Sequence, residues 1–192
     1  MLHTAQLARR IRQIAAGYIL LYFHIKINGF DLLPGVVGWL LIWLAIRDEA
    51  MVRERPNLKL LHGFALVLGL DSLRELLRIQ LPGWCGPVVL ILSLVGIYFR
   101  FQILSELAGM AEHYIPNEVV NRDVARSLCR GRNLITVLHT AAILLMMVEM
   151  DTDLLTAAVF ILSLVQWVVA LLVIIDLFSL AKGLRGVPDS EP

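Results

Sequence analysis

Signatures of catalysis are what this 192-residue chain most plainly lacks. It has no Gly-rich phosphate loop, no nucleophile elbow and no Cys-x-x-Cys, so no catalytic residue, cofactor or metal is expected. Cysteine occurs twice, at Cys85 and Cys129, which makes neither a disulfide framework nor a metal motif. There is no run of Lys and Arg and the net charge is +1, so no nucleic-acid partner is expected. A leader cleavage site is missing too. Arg9, Arg10 and Arg12 precede the apolar stretch 14–23 as an n-region precedes an h-region. His24, Lys26 and Asn28 then follow with no small-x-small pattern, so the stretch reads as an uncleaved first span.

What is abundant is apolar surface. Hydrophobic residues make up 58% of the chain and the mean hydropathy is +0.76. Soluble domains hold roughly 45–50%, and a core of this size cannot hide the excess. Long apolar runs predict spans over about 10–28, 34–47, 57–79, 87–110, 132–150 and 154–181. The expectation is a single all-α integral membrane domain over 1–192, with about six transmembrane helices and one cytoplasmic amphipathic helix. The second span is short for a hydrocarbon core of roughly 30 Å. The turn at 28–34 would complement it by dipping inward where protein or water satisfies its backbone. The tight link at 150–153 makes the last two spans antiparallel neighbours.

Charge orients these spans. Thirteen cations fall on one side: Arg9, Arg10, Arg12, Arg47, Arg53, Arg55, Lys59, Arg122, Arg126, Arg130, Arg132, Lys182 and Arg185. Lys26, Arg74 and Arg78 fall on the other, with Arg100 inside the fourth span. The positive-inside rule then places both termini in the cytoplasm of a multi-pass inner-membrane protein. Between the fourth and fifth spans, Asn117 reads as an N-cap and Gly131 as a stop. Val120, Val124 and Leu128 form one stripe of the helix 117–131, and Arg122, Arg126 and Arg130 form the opposite one. Such a helix suits anionic lipid or a partner membrane protein. A solvated connector packed on the bundle is the plainer reading.

The chain is organised around residues 24–39, where Asn28-Gly29 and Pro34-Gly35 force it to reverse or unwind. Asp31 is placed to cap the helix that Pro34 helps to start. The pattern Asn28-x-x-Asp31-Leu32-Leu33-Pro34-x-x-x-Gly38-Trp39 resembles one found in small, functionally uncharacterised bacterial multi-span membrane proteins. Residues 98–112, ending Ser105-Glu106-Leu107-Ala108-Gly109-Met110-Ala111-Glu112, also resemble theirs. The resemblance implies a bacterial cytoplasmic membrane and carries no activity with it. Substrate-binding subunits of vitamin transporters are similar in size and span count, but no binding motif of theirs is present.

Ionisable groups within spans cost about 2.5–3.5 kcal/mol each on insertion scales, so each needs a partner, a wet cavity or a role. One layer holds His24, Lys26, Asp31, Asp71, Arg74, Glu75 and Arg78, the last four sharing one helix face with alternating signs. A deeper layer holds His62, Arg100, Glu106, His139 and Asp176. The outer layer reads either as a salt-bridged stripe snorkelling to headgroups or as a polar vestibule. Arg100 is expected to find its counter-charge in Glu106 or Asp176. His62 and His139 read as hydrogen-bonded core histidines.

Together Asp31, Asp71, Arg74, Glu75, Arg100, Glu106 and Asp176 define a candidate polar path for a small molecule or an ion. The leading expectation is therefore a small-solute or ion transporter, or the substrate-binding subunit of one. The alternative is a non-catalytic adaptor that binds lipid or a partner through the 117–131 helix. A membrane-embedded enzyme acting on lipid is third. A polar cavity leading from the 28–34 turn to Arg100 favours the first, and a dry bundle favours the second.

Overall fold

A computed structural model of the chain describes residues 2–23, 26–27, 30–31, 35–79, 82, 85–114, 118–146 and 152–185. Apart from one strand pair these residues are helical: α1 (Leu2–Tyr22), α2 (Gly35–Ile46), α3 (Glu49–Glu54), α4 (Leu58–Leu76), α5 (Gly86–Tyr114), α6 (Glu118–Met146) and α7 (Thr152–Arg185). Strands β1 (Lys26–Ile27) and β2 (Phe30–Asp31) pair antiparallel across the Asn28-Gly29 breaker, with Ile27 opposite Phe30 and Lys26 opposite Asp31. Asp31 therefore belongs to a strand and does not adjoin α2, which begins at Gly35. Its capping role, like the rest of the 28–34 turn, lies outside the described residues.

Among the described residues two helical stretches, Gly86–Tyr114 and Leu155–Arg185, are long and apolar enough to cross a membrane. Only 22% of the apolar window of each is buried. Ile91, Leu94, Phe160, Ile161, Val168 and Leu172 are instead exposed. A surface this apolar, on helices this long, supports association with a bilayer. α2 is apolar as well but has 12 residues. That is about 18 Å of helix, short of the roughly 30 Å hydrocarbon core.

One expected boundary is wrong. The amphipathic helix at 117–131 and the span at 132–150 are one helix, α6, which runs through Gly131 without a break. Gly131 serves packing and not termination: a Cβ there would collide with Val173 Cγ2 on α7. Glycine at such a crossing lets two backbones approach. Along the first half of α6 Leu128 is buried, while Arg126 and Arg130 are exposed.

Six of the helices close a ring in the order α1, α2, α4, α5, α6, α7, with α7 packing back onto α1. The α4–α5 seam is the least extensive of the six. At the α1–α2 crossing glycine meets glycine. A Cβ on Gly17 would lie 2.8 Å from the Gly38 carbonyl oxygen, and one on Gly38 would lie 2.8 Å from that of Gly17. Tyr18, Ile42 and Phe99 fill the ring interior with no exposed surface.

The end of the ring bearing the N-terminus is locked by polar contacts. Arg10 reaches Asp48 at 2.6 Å through Nη2 and donates through Nε at 2.8 Å. The same carboxylate caps α3 by accepting from the Ala50 amide at 3.1 Å. His3 Nε2 donates to Glu54 at 2.8 Å, so the starts and ends of α1 and α3 are tied together. Burial disfavours the Glu54 carboxylate, but hydrogen bonds from Tyr114 and His3 outweigh it and hold its pKa below the ordinary 4.5. Burial first, and then the Glu54 bond, pushes the Tyr114 phenol up to about 12.

Two predictions follow from these contacts. Gly38→Val should overpack the α1–α2 crossing and cost about 1–3 kcal/mol. Gly63→Ala on α4, where nothing lies within 4 Å, should be neutral or stabilise by about 0.5–1 kcal/mol. Thermal unfolding of the full chain in detergent checks both. The second concerns pH. Glu54 binds its proton less readily when folded, so its contribution is full above the carboxylate range and is lost as pH falls through it. Tyr114 binds its proton more tightly when folded, so its share is full below 10 and is lost as pH rises towards 12. Tyr114→Phe removes the bond that lowers Glu54, so the drop in Tm on acidification should be smaller in that variant than in the parent.

Candidate functional site

At the other end of the ring the thin α4–α5 seam leaves a cavity of about 220 Å³. Its position follows from the helix order. α1 ends there, α2 begins there, and the last turns of α4 face the first half of α5. α1 and α2 supply Leu21, Gly35 and Trp39. α4 supplies Leu68, Asp71, Ser72 and Glu75, and α5 supplies Leu92, Ser93, Gly96 and Arg100. His139 comes from α6. Half of the lining residues are thus polar: two carboxylates, two hydroxyls, one guanidinium and one imidazole. Convergent polar groups in a concavity are what fix the orientation of a small ligand.

Arg100 stands at the centre of α5 and is held by aromatic and imidazole groups. Its Nη1 lies 3.2 and 3.3 Å from the two ring nitrogens of His139. Gln166 on α7 donates to His139 Nδ1 at 3.1 Å, so that nitrogen presents the lone pair. The guanidinium also lies over the Tyr22 ring, 5.7 Å from its centroid. Tyr22 in turn stacks on Tyr18, with centroids 6.0 Å apart. Arg100 Nε is buried and has no hydrogen-bond partner among the described residues, and neither have the hydroxyls of Tyr18 and Tyr22. No described carboxylate lies within 4.0 Å of Arg100.

The expected counter-charges are engaged elsewhere. Glu106 is 6% exposed and accepts from Asn57 at 2.8 Å and from Gln102 at 2.9 Å, with Arg55 Nε at 3.9 Å. It lies six residues beyond Arg100 on α5, about 9 Å along the axis, towards the opposite end of the ring. Gly109 leaves room for the Arg55 head beside it, since a Cβ there would meet Nη2 at 2.7 Å. Asp176 accepts from Ser127 at 2.6 Å across the α6–α7 contact. Neither pairs with Arg100.

Of the candidate path, then, the structure gathers Asp71, Glu75 and Arg100 around one cavity. Arg74 stands behind them. Its Nε donates to Asp71 Oδ1 at 2.8 Å, and its Nη2 is 3.6 Å from Glu75. Arg78 leaves the shared helix face, because α4 stops at Leu76 and Arg78 takes the left-handed conformation at φ 54°. The turn closes in Schellman fashion: the Ile79 amide bonds the Arg74 carbonyl and the Arg78 amide bonds that of Glu75. The Asp31 and Arg122 side chains lie outside the described residues.

His139 is hydrogen-bonded, as a core histidine should be. His62 stacks on Trp43 at 4.9 Å and leaves Nε2 without a partner among the described residues. Ser72, Ser93, Tyr18, Tyr22 and Gln166 had not stood out. Polar residues inside apolar runs were the available signal for Ser93 and Gln166. Nothing in the sequence singled out the tyrosines. Among the described residues no group of three or more His, Cys, Asp or Glu is arranged to hold a metal ion.

Stability cycles distinguish the expected partners of Arg100 from the observed one. Arg100→Gln combined with Glu106→Gln, or with Asp176→Asn, should be additive to within about 0.3–0.5 kcal/mol. Arg100→Gln combined with His139→Ala should show coupling of about 0.5–3 kcal/mol. Unfolding of the single and double variants in detergent measures both.

The chain matches no family model, no curated protein and no solved structure.

Proposed function

We propose that the chain is a six-span protein of the bacterial cytoplasmic membrane that takes up a small solute, as a transporter or as a transporter's substrate-binding subunit. The observation that carries this reading is the cavity beside Arg100. A half-buried guanidinium without a carboxylate partner among the described residues is costly in a bilayer unless it serves a water-filled path or a ligand. The cavity reaches Gly35, the first described residue after the 28–34 turn. In this reading the ring presents apolar residues to lipid, and α2, being short, is completed by the turn that precedes it. The cation bias then puts both termini and the polar end around Arg10, Arg55 and Glu106 in the cytoplasm. The cavity opens to the opposite side.

A second reading, a membrane adaptor, is favoured by the exposure of Arg126 and Arg130 on the helix whose opposite face buries Leu128. One experiment separates the two. Native mass spectrometry of the gently purified full chain should show a small-molecule adduct that disappears in Arg100→Gln. Spectra of the parent with no small adduct, and with anionic lipid lost on replacing Arg126 and Arg130 by Gln, would favour the adaptor and refute the solute reading.

A further inference from the structure

The charges around the cavity are divided in a way that selects among solutes. Arg100 is the one cation among its described lining residues, and it keeps a buried Nε without a partner. Asp71 and Glu75 line the same cavity and share a single guanidinium, Arg74, which does not line it. In these contacts two carboxylates on the α4 wall thus answer to one guanidinium, opposite the one cation of the α5 wall among the described lining residues.

An anion attracted to Arg100 is repelled by Asp71 and Glu75. A cation attracted to those carboxylates is repelled by Arg100. Only a solute carrying both charges meets a partner on each wall, and like-charge contact disfavours either half alone. Size narrows the class further. At about 220 Å³ the cavity is smaller than the roughly 300–1,000 Å³ of pockets that enclose drug-sized ligands. The lining hydroxyls of Ser72 and Ser93 add neutral hydrogen-bonding groups beside the charges.

Resting on the solute reading above, we infer that the solute is a small zwitterion of amino-acid size. Its carboxylate is taken by the part of the Arg100 guanidinium that lines the cavity, and its ammonium by Asp71 and Glu75. Arg100 is suited to this because a guanidinium presents several fixed donors and His139 occupies only one side of it. His139, itself held by Gln166, is a positioning residue that fixes the angle of the guanidinium.

The test uses the purified full chain in lipid nanodiscs and three probes of matched size: alanine, propionate and ethylamine. Calorimetry should give alanine an affinity at least about tenfold above that of propionate or ethylamine, the worth of one charge-assisted hydrogen bond. Arg100→Gln should reduce alanine to the level of ethylamine. Glu75→Gln, in an exposed position that leaves the Arg74–Asp71 pair intact, should shift preference from alanine towards propionate. His139→Gln, if it acts by position, should weaken alanine and propionate together and leave ethylamine unchanged. Propionate binding as tightly as alanine would overturn the zwitterion and leave the solute reading in place as an anion site. Binding of none of the three would also overturn it. The native mass spectrum then shows whether the solute reading survives with another ligand or falls too.

Discussion

The crossing of α1 and α2 at Gly17 and Gly38 is the constraint on which the ring depends. A hydrogen is all that either residue can place between the two backbones, since each Cβ would meet the other's carbonyl oxygen at 2.8 Å. Where lipid surrounds helices, apolar burial does little to bring them together, and close van der Waals packing has to do it. The crossing brings Ile42 over α1 and positions Trp39 edge-on to Phe99, with centroids 5.2 Å apart. That contact carries the geometry of α2 across to α5. α7 meets the other face of α1, and Gly131 against Val173 repeats the close approach between α6 and α7. Two of the six seams, α1–α2 and α6–α7, therefore hold glycine at the point of close approach.

The remaining polar groups sort themselves by the ends of this ring. At one end the buried carboxylates among the described residues are closed: Asp48 with Arg10, Glu54 with His3, and Glu106 with Asn57 and Gln102. Buried carboxylates satisfied in this way are structural, and removing one partner strands the other. At the other end the accounting stays open. Arg100 retains an unused donor, and the two α4 carboxylates share one cation. The contrast between a closed end and an open one is what identifies a site, more than the presence of charge as such.

Much of the helix content was legible because apolar runs and breaker pairs are local properties. The reversal at Asn28-Gly29 and the charged end of α4 could be read in that way. Contacts between helices could not. The spacing of Asp71, Arg74 and Glu75 places them on one face of α4, but only the ring order sets that face beside Arg100 on α5. Glu106 looked like the nearest carboxylate to Arg100 by number, yet six residues of helix carry it about 9 Å away. Asp176 is ten residues beyond Gln166 on α7, about 15 Å from the level of His139. Gly131 was misread because a glycine in a polar stretch signals a stop locally, and its reason for being there, Val173, is distant in sequence.

The unbroken course of α6 makes one element serve both halves of the ring. A helix of 29 residues is about 43 Å long. Arg130 and His139 are nine residues apart on it, about 14 Å. The exposed arginines at one stretch and the imidazole beside the Arg100 guanidinium at the other therefore share one continuous ladder of backbone hydrogen bonds, with the Gly131–Val173 crossing between them.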